Sequence, residues 1–214
     1  MEKLGGYEWL LTKLKQRAQL WFASEAKMLH NWGLSPNQVS ILGIAFAVLS
    51  AITYWQWERH PLLLILAPLL MLASGFLDAL DGALARLYGE ATKFGGFFDS
   101  LLDRYADAVV ICGIILGGLT EVSWGLAALV GSMLVSYARA RAEAAGVKME
   151  SVGLAERAER LVLLALASFL SFVWLDALCW GVLVLAVLTN LTVIQRAIYF
   201  RKASMTQKER NVSV

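Results

Sequence analysis

The sequence predicts an all-α integral membrane protein: a bundle of six transmembrane helices preceded by an N-terminal amphipathic helix lying on the membrane surface. Three observations carry that expectation. Hydrophobic residues make up 58% of the 214 and charged residues only 17%, a balance far from that of a water-soluble domain. Apolar runs long enough to cross a hydrocarbon core of about 30 Å recur along the chain. Basic residues gather at alternate junctions between those runs, the pattern left when Lys and Arg are retained on the cytoplasmic side during insertion.

Residues 1–34 are expected to form the surface helix. They lack the apolar core and cleavage site of a signal peptide and are expected to be retained. Trp9, Leu10, Leu14, Trp21, Phe22 and Leu29 can share a broad apolar side, while Lys13, Lys15, Arg17 and Lys27 meet lipid headgroups. Ser35-Pro36-Asn37 reads as a turn and a helix start, with Pro36 near the first helical position, where its missing N–H is harmless. Spans then follow at residues 38–57, 61–80, 94–119, 123–142, 155–174 and 176–198, so that residues 35–200 make one domain. The polar stretch 201–214 is expected to be a loose tail.

Arg86 and Lys93 lie between the second and third spans, and Arg139, Arg141, Lys148, Arg157 and Arg160 between the fourth and fifth. Arg196, Arg201, Lys202, Lys208 and Arg210 follow the sixth; only Arg59 falls in an opposite loop, and Arg104 lies inside a span. A multi-pass protein of the cell membrane with both termini on the cytoplasmic side is the expected topology. Cys112 and Cys179 stand alone in apolar spans, which supports neither a disulfide framework nor a thiolate metal site. His30 and His60 are far apart on opposite predicted sides, leaving oxygen-ligated metals as the candidates.

The chemistry is concentrated between Asp78 and Asp103. Asp78 and Asp81 are three residues apart, and Asp99 and Asp103 four, so each pair shares one face of its helix. A helical hairpin turning between Gly82 and Gly95 would bring the two faces together near the cytoplasmic surface. Like charges so close favour protonation unless divalent cations balance them. Intramembrane carboxylates are costly and mark function, and two Mg²⁺ or Mn²⁺ ions on these ligands suit an in-line attack at phosphorus. Gly82 and Ala85 keep the helix surface low for a bulky ligand, and Arg86 adds a planar positive fork suited to a pyrophosphate.

The segment resembles the signature of the CDP-alcohol phosphotransferase family, D-x2-D-G-x2-A-R-x8-G-x3-D-x3-D. Asp78, Asp81, Gly82, Ala85, Arg86, Gly95, Asp99 and Asp103 match it without departure. The resemblance implies transfer of a phosphatidyl-type group from a CDP-lipid to an alcohol, with release of CMP. It implies that Asp78, Asp81, Asp99 and Asp103 hold two metal ions and that Asp103 also serves as the base. It further implies that Gly82 and Arg86 contact the CDP moiety, with Thr92 and the stretch Asn37, Gln38, Val39 and Ser40 as further contacts, and that the chain forms a homodimer.

The acceptor must be read outside the signature. The region around Ser136, Arg139 and Arg157 resembles that of phosphatidylinositol-phosphate and archaetidylinositol-phosphate synthases. By that resemblance the donor is CDP-diacylglycerol or CDP-archaeol, and Ser136, Arg139, Arg157 and Arg196 bind the phosphate of inositol 1-phosphate. Positive-inside placement and anionic headgroup binding are the bland reading of the same arginines. Glycerol 3-phosphate would use the same charge and is the nearest rival acceptor. A membrane prenyltransferase fits poorly, because both acidic pairs fall within one hairpin, and a cation transporter leaves Arg86 unexplained. Membrane lipids are expected partners and nucleic acid is not.

Overall fold

The computed structural model describes residues 24–149 and 152–212, with side chains described as far as Met205. Regular structure among the described residues is helical throughout. Helix α1 covers residues 24–31; then come α2 (Pro36–Trp55), α3 (Leu63–Leu87), α4 (Lys93–Leu116), α5 (Val122–Ala144), α6 (Arg157–Ser171) and α7 (Ala177–Val212). A short 3-10 turn at Trp57–Arg59 separates α2 from α3. Most of the expected surface helix, including Trp9, Lys13 and Trp21, lies outside the described residues.

Each predicted span overlaps one of the helices α2 to α7. Three stretches, Pro36–Trp55, Leu63–Leu87 and Ala177–Met205, are long and apolar enough to cross a membrane by length and composition. The other three are more polar or shorter: α4 carries Asp99, Asp103, Arg104 and Asp107, and α6 has only 15 residues. Large apolar side chains stay exposed along the helices, including Ile52 on α2, Leu69 on α3, Leu166 on α6 and Leu191 on α7. Exposed apolar surface on this scale calls for a nonaqueous neighbour.

Two boundaries differ from expectation. Helix α3 runs on to Leu87, beyond the apolar span expected to end at residue 80, so Arg86 sits on the same regular helix as Asp78, Asp81 and Gly82. Helix α7 continues to Val212, where a loose tail was expected from residue 201. The reason is an apolar seam: Phe200 and Ala203 pack against a buried cluster of Ala142, Val147 and Met149, which gives the extension a face to bury.

The described chain divides into two compact units. The first comprises the described residues up to Ala45 together with Ala73–Asp103, and the second Phe46–Leu72 together with the residues from Arg104 onward. In the first, Ala26, Leu29, Val39, Leu80 and Leu84 form the core. Helix α2 starts as the sequence suggests: Pro36 is its first residue, and the backbone N–H of Ser35 donates to Gln38 Oε1 at 2.9 Å. Helix α3 ends on Gly89, whose φ of +67° lets the N–H of Glu90 close back on the carbonyl of Ala85 at 3.0 Å. Thr92 then opens α4, its Oγ1 accepting from the N–H of Gly95 at 2.9 Å. His30 of α1 stacks on Tyr88, ring centroids 3.6 Å apart, and so pins α1 to this turn.

In the second unit α5 and α6 both pack on α7. Small residues set the close approaches. A Cβ placed on Gly113 would lie 2.5 Å from the Ala51 backbone, and one on Gly131 would fall on the Thr189 hydroxyl. Tyr54 and Ser168 hydroxyls share a buried hydrogen bond of 2.6 Å. Cys112 and Cys179 are both free thiols.

Candidate active site

Helix α3 carries Asp78 and Asp81, and α4 carries Asp99 and Asp103. Asp78, Asp99 and Asp103 each present a carboxylate oxygen within 4.8 Å of the other two, and all three are partly exposed. Asp81 stands slightly apart. It is only 4% exposed and accepts the Ser40 hydroxyl at 2.5 Å, while remaining in electrostatic reach of Asp99 and Asp78. The expected set of four therefore resolves into three clustered ligand atoms and one carboxylate oriented by α2. Three hard oxygens at this spacing fit a divalent cation of the Mg²⁺ or Mn²⁺ kind, and such a cation would relieve their mutual repulsion.

Beside the acids, in the same unit, is a cavity of about 200 Å³. Asn37, Ser40, Asp81, Gly82, Ala85, Arg86, Thr92, Gly95 and Asp99 are among its lining residues. Its shape depends on missing side chains. The Arg86 guanidinium folds back over Gly82, so that a Cβ there would sit 3.2 Å from Arg86 Nη1. At Gly95 a Cβ would come within 3.0 Å of Thr92 Oγ1 and 3.5 Å of Asn37 Oδ1. A positive fork, two hydroxyls, an amide and exposed backbone make a pocket with the chemistry to hold a nucleotide pyrophosphate.

Of the four consecutive residues expected at this pocket, Asn37 and Ser40 line it, and Gln38 and Val39 do not. Helical periodicity is the reason, since positions three apart share a face. The Gln38 side chain turns back to cap α2, and Val39 is buried against the hydrophobic core at 1% exposure.

The proposed acceptor residues all lie in the second unit. Arg196 is 2% exposed and fixed by two carbonyls, donating from Nε to Val152 at 2.8 Å and from Nη1 to Val135 at 2.6 Å. It lies in electrostatic reach of Arg139, Arg160, Glu143 and Glu156. Arg139 is exposed and pairs along its own helix with Glu143 at 2.8 Å. Ser136, half-buried, precedes it by three residues and shares its face. Arg157 Nε lies 3.5 Å from Asp107 Oδ1, and the buried Arg160 reaches Asp107 Oδ2 at 2.6 Å.

Asp107 was not anticipated from the sequence. The signal was present, because Asp99, Asp103 and Asp107 recur every four residues along α4. Its partners come from α6, about fifty residues away, and no local spacing announces such a pairing.

The family model described as CDP-alcohol phosphatidyltransferase matches residues 33–192. Archaetidylinositol phosphate synthase of Pyrococcus horikoshii is 38% identical over 193 residues, spanning 90% of this chain and 97% of the relative. The protein of the same name from Methanothermobacter thermautotrophicus is 49% identical over 140 residues, or 64% of this chain and 70% of the relative. The crystal structure of Mycobacterium tuberculosis phosphatidylinositol phosphate synthase with CDP-DAG bound matches with a TM-score of 0.73 at 33% identity, covering 84% of this chain and 92% of that one. The same mycobacterial enzyme in complex with manganese and citrate matches at 0.72 and 33% identity, covering 84% and 88%.

Proposed function

This chain belongs to the CDP-alcohol phosphatidyltransferase family, and on that premise we propose that it transfers the phosphatidyl or archaetidyl group of a CDP-lipid to inositol 1-phosphate, releasing CMP. One observation carries the reading: the clustered carboxylates of Asp78, Asp99 and Asp103 occur in the same unit as a cavity lined by Gly82, Arg86 and Thr92. The relatives named archaetidylinositol phosphate synthase, and the mycobacterial phosphatidylinositol phosphate synthase, support inositol phosphate as acceptor.

In this reading Arg86 pairs with the pyrophosphate of the CDP-lipid, while Gly82 and Gly95 let the nucleotide lie against backbone. Asn37, Ser40 and Thr92 offer polar contacts around it. Asp78, Asp81, Asp99 and Asp103 would hold two divalent cations, Mg²⁺ or Mn²⁺, which when bound neutralise charge on the entering and leaving oxygens. Asp103 takes the proton of the acceptor hydroxyl as that oxygen bonds to the lipid-bearing phosphorus. The bond from that phosphorus to the CMP oxygen breaks, and Arg86 stays paired with the departing phosphate. Ser136, Arg139, Arg157 and Arg196 hold the acceptor phosphate.

In this reading the helices α2 to α7 cross the cell membrane, and the acidic cluster and both termini face the cytoplasm. The Lys and Arg distribution supports this topology. The working form is a homodimer, which crosslinking in membranes checks.

Membranes containing the protein, incubated with Mg²⁺ and one CDP-lipid, test the acceptor directly. Inositol 1-phosphate, glycerol 3-phosphate, free inositol and serine are supplied in parallel, and CMP is measured. Release dependent on inositol 1-phosphate is expected; release dependent only on glycerol 3-phosphate overturns the acceptor assignment.

A further inference from the structure

Glu156 occupies the N-cap position of α6 yet makes no side-chain bond to the helix it precedes. Its carboxylate turns instead toward Arg196, with Oε1 3.9 Å from Nη2, too far for a hydrogen bond. Among the described residues that oxygen has no hydrogen-bond partner and is itself shielded from solvent, although the Glu156 side chain as a whole is 39% exposed. Arg196 Nε and Nη1 are taken up by the carbonyls of Val152 and Val135, which leaves Nη2 facing that oxygen at ion-pair rather than hydrogen-bond distance. A shielded carboxylate oxygen without a donor is unfavourable, and its persistence points to a donor that arrives with a ligand.

An ionised carboxylate only accepts hydrogen bonds, so the missing donor is an O–H or N–H group. A phosphate dianion supplies none and is repelled. Hydroxyls of a polyol supply several, and neighbouring hydroxyls can engage one carboxylate together. Glu156 also directly precedes Arg157 and lies beside Arg196, the two buried or half-buried arginines assigned to the acceptor phosphate.

We propose that Glu156 is a specificity residue that accepts hydrogen bonds from ring hydroxyls of the acceptor while the neighbouring arginines hold its phosphate. The inference rests on the inositol 1-phosphate reading and deepens it. It gives the pocket two chemically distinct halves, one for the anion and one for hydroxyls. A phosphorylated acceptor with fewer hydroxyls would satisfy the first half and leave Glu156 unmet, which lowers its rank as a substrate.

The test uses the full-length protein in detergent with CDP-lipid and Mg²⁺, comparing wild type with Glu156→Gln. The KM for inositol 1-phosphate is expected to rise about tenfold or more, with kcat and the CDP-lipid KM within about twofold. Inorganic phosphate, used as an inhibitor competing for the arginines, should bind the variant as well as or better than wild type, since a nearby negative charge is gone. If Glu156 merely positions Arg196, inositol 1-phosphate and inorganic phosphate weaken together, and the proposal fails. It also fails if neither changes. Should Glu156→Gln not accumulate, Glu156→Asp keeps the charge on a shorter arm, and a raised inositol 1-phosphate KM with unchanged phosphate inhibition is expected from it; unchanged KM overturns the proposal. Wild type that ignores inositol 1-phosphate would instead refute the acceptor reading itself.

Discussion

At position 99 an amide would keep the shape of the carboxyl group and remove its charge. Asp99 is both a member of the three-oxygen cluster and a wall of the adjoining cavity, so Asp99→Asn should lower CMP release at least about a hundredfold. The circular dichroism spectrum and thermal midpoint should stay near wild type; full activity would refute the metal assignment. Ser40→Ala acts on stability as well as function, because it removes the hydroxyl that the buried Asp81 carboxylate accepts. A loss of about 1–3 kcal/mol is expected, read as a lower unfolding midpoint in detergent. Arg157→Ala should raise the KM of the phosphorylated acceptor far more than that of CDP-lipid, and equal effects on both would undo the division of labour between the pockets. The residues legible in the sequence were those repeated at local spacing, Asp78 with Asp81 and Asp99 with Asp103. Asp107 and Glu156 were not, because what gives them meaning is Arg160 or Arg196 arriving from elsewhere in the chain.

At the scale of helices, starts were more readable than stops. Pro36 opens α2, and the turn between α3 and α4 is built on Gly89 and Thr92. Replacing Thr92 with Val keeps the bulk and deletes the cap, which should destabilise the fold by about 1 kcal/mol. Because Thr92 also lines the cavity, a modest rise in CDP-lipid KM should accompany the loss. Helix-to-helix approach is a different matter. At Gly113 even a methyl group would meet the Ala51 backbone at 2.5 Å, so Gly113→Ala should cost about 1–3 kcal/mol and lower the unfolding midpoint. The sequence marks such a glycine without saying what lies opposite. The extension of α7 was misread for a related reason: residues after 200 look polar in aggregate, but Phe200 and Ala203 have a specific cluster to cover.

For the whole molecule, the exposed apolar side chains on α2, α3, α6 and α7 demand a lipid environment, and the charge asymmetry sets the proposed direction of insertion. Single cysteines placed at Glu90 and at His60, with Cys112 and Cys179 replaced by alanine, should be labelled by membrane-impermeant reagents from opposite sides of sealed vesicles. Labelling of both from one side would overturn the proposed topology. Stripping divalent cations with a chelator should abolish CMP release, and adding Mg²⁺ or Mn²⁺ should restore it.

The sequence by itself determined the helical class, the rough positions of helices α2 to α7, and the acidic motif with its companion glycines and arginine. These are local properties, written as periodicity, run length and spacing along one stretch of chain. Only the tertiary structure decided that Asp81 is buried against the Ser40 hydroxyl beside the cluster of Asp78, Asp99 and Asp103, and that Asn37 and not Gln38 faces the cavity. It alone showed that Glu156 keeps an oxygen beside Arg196 with no hydrogen-bond partner among the described residues. Each of those outcomes depends on which face of one helix meets which face of another, and packing, unlike helical period, is set by residues far apart in the chain.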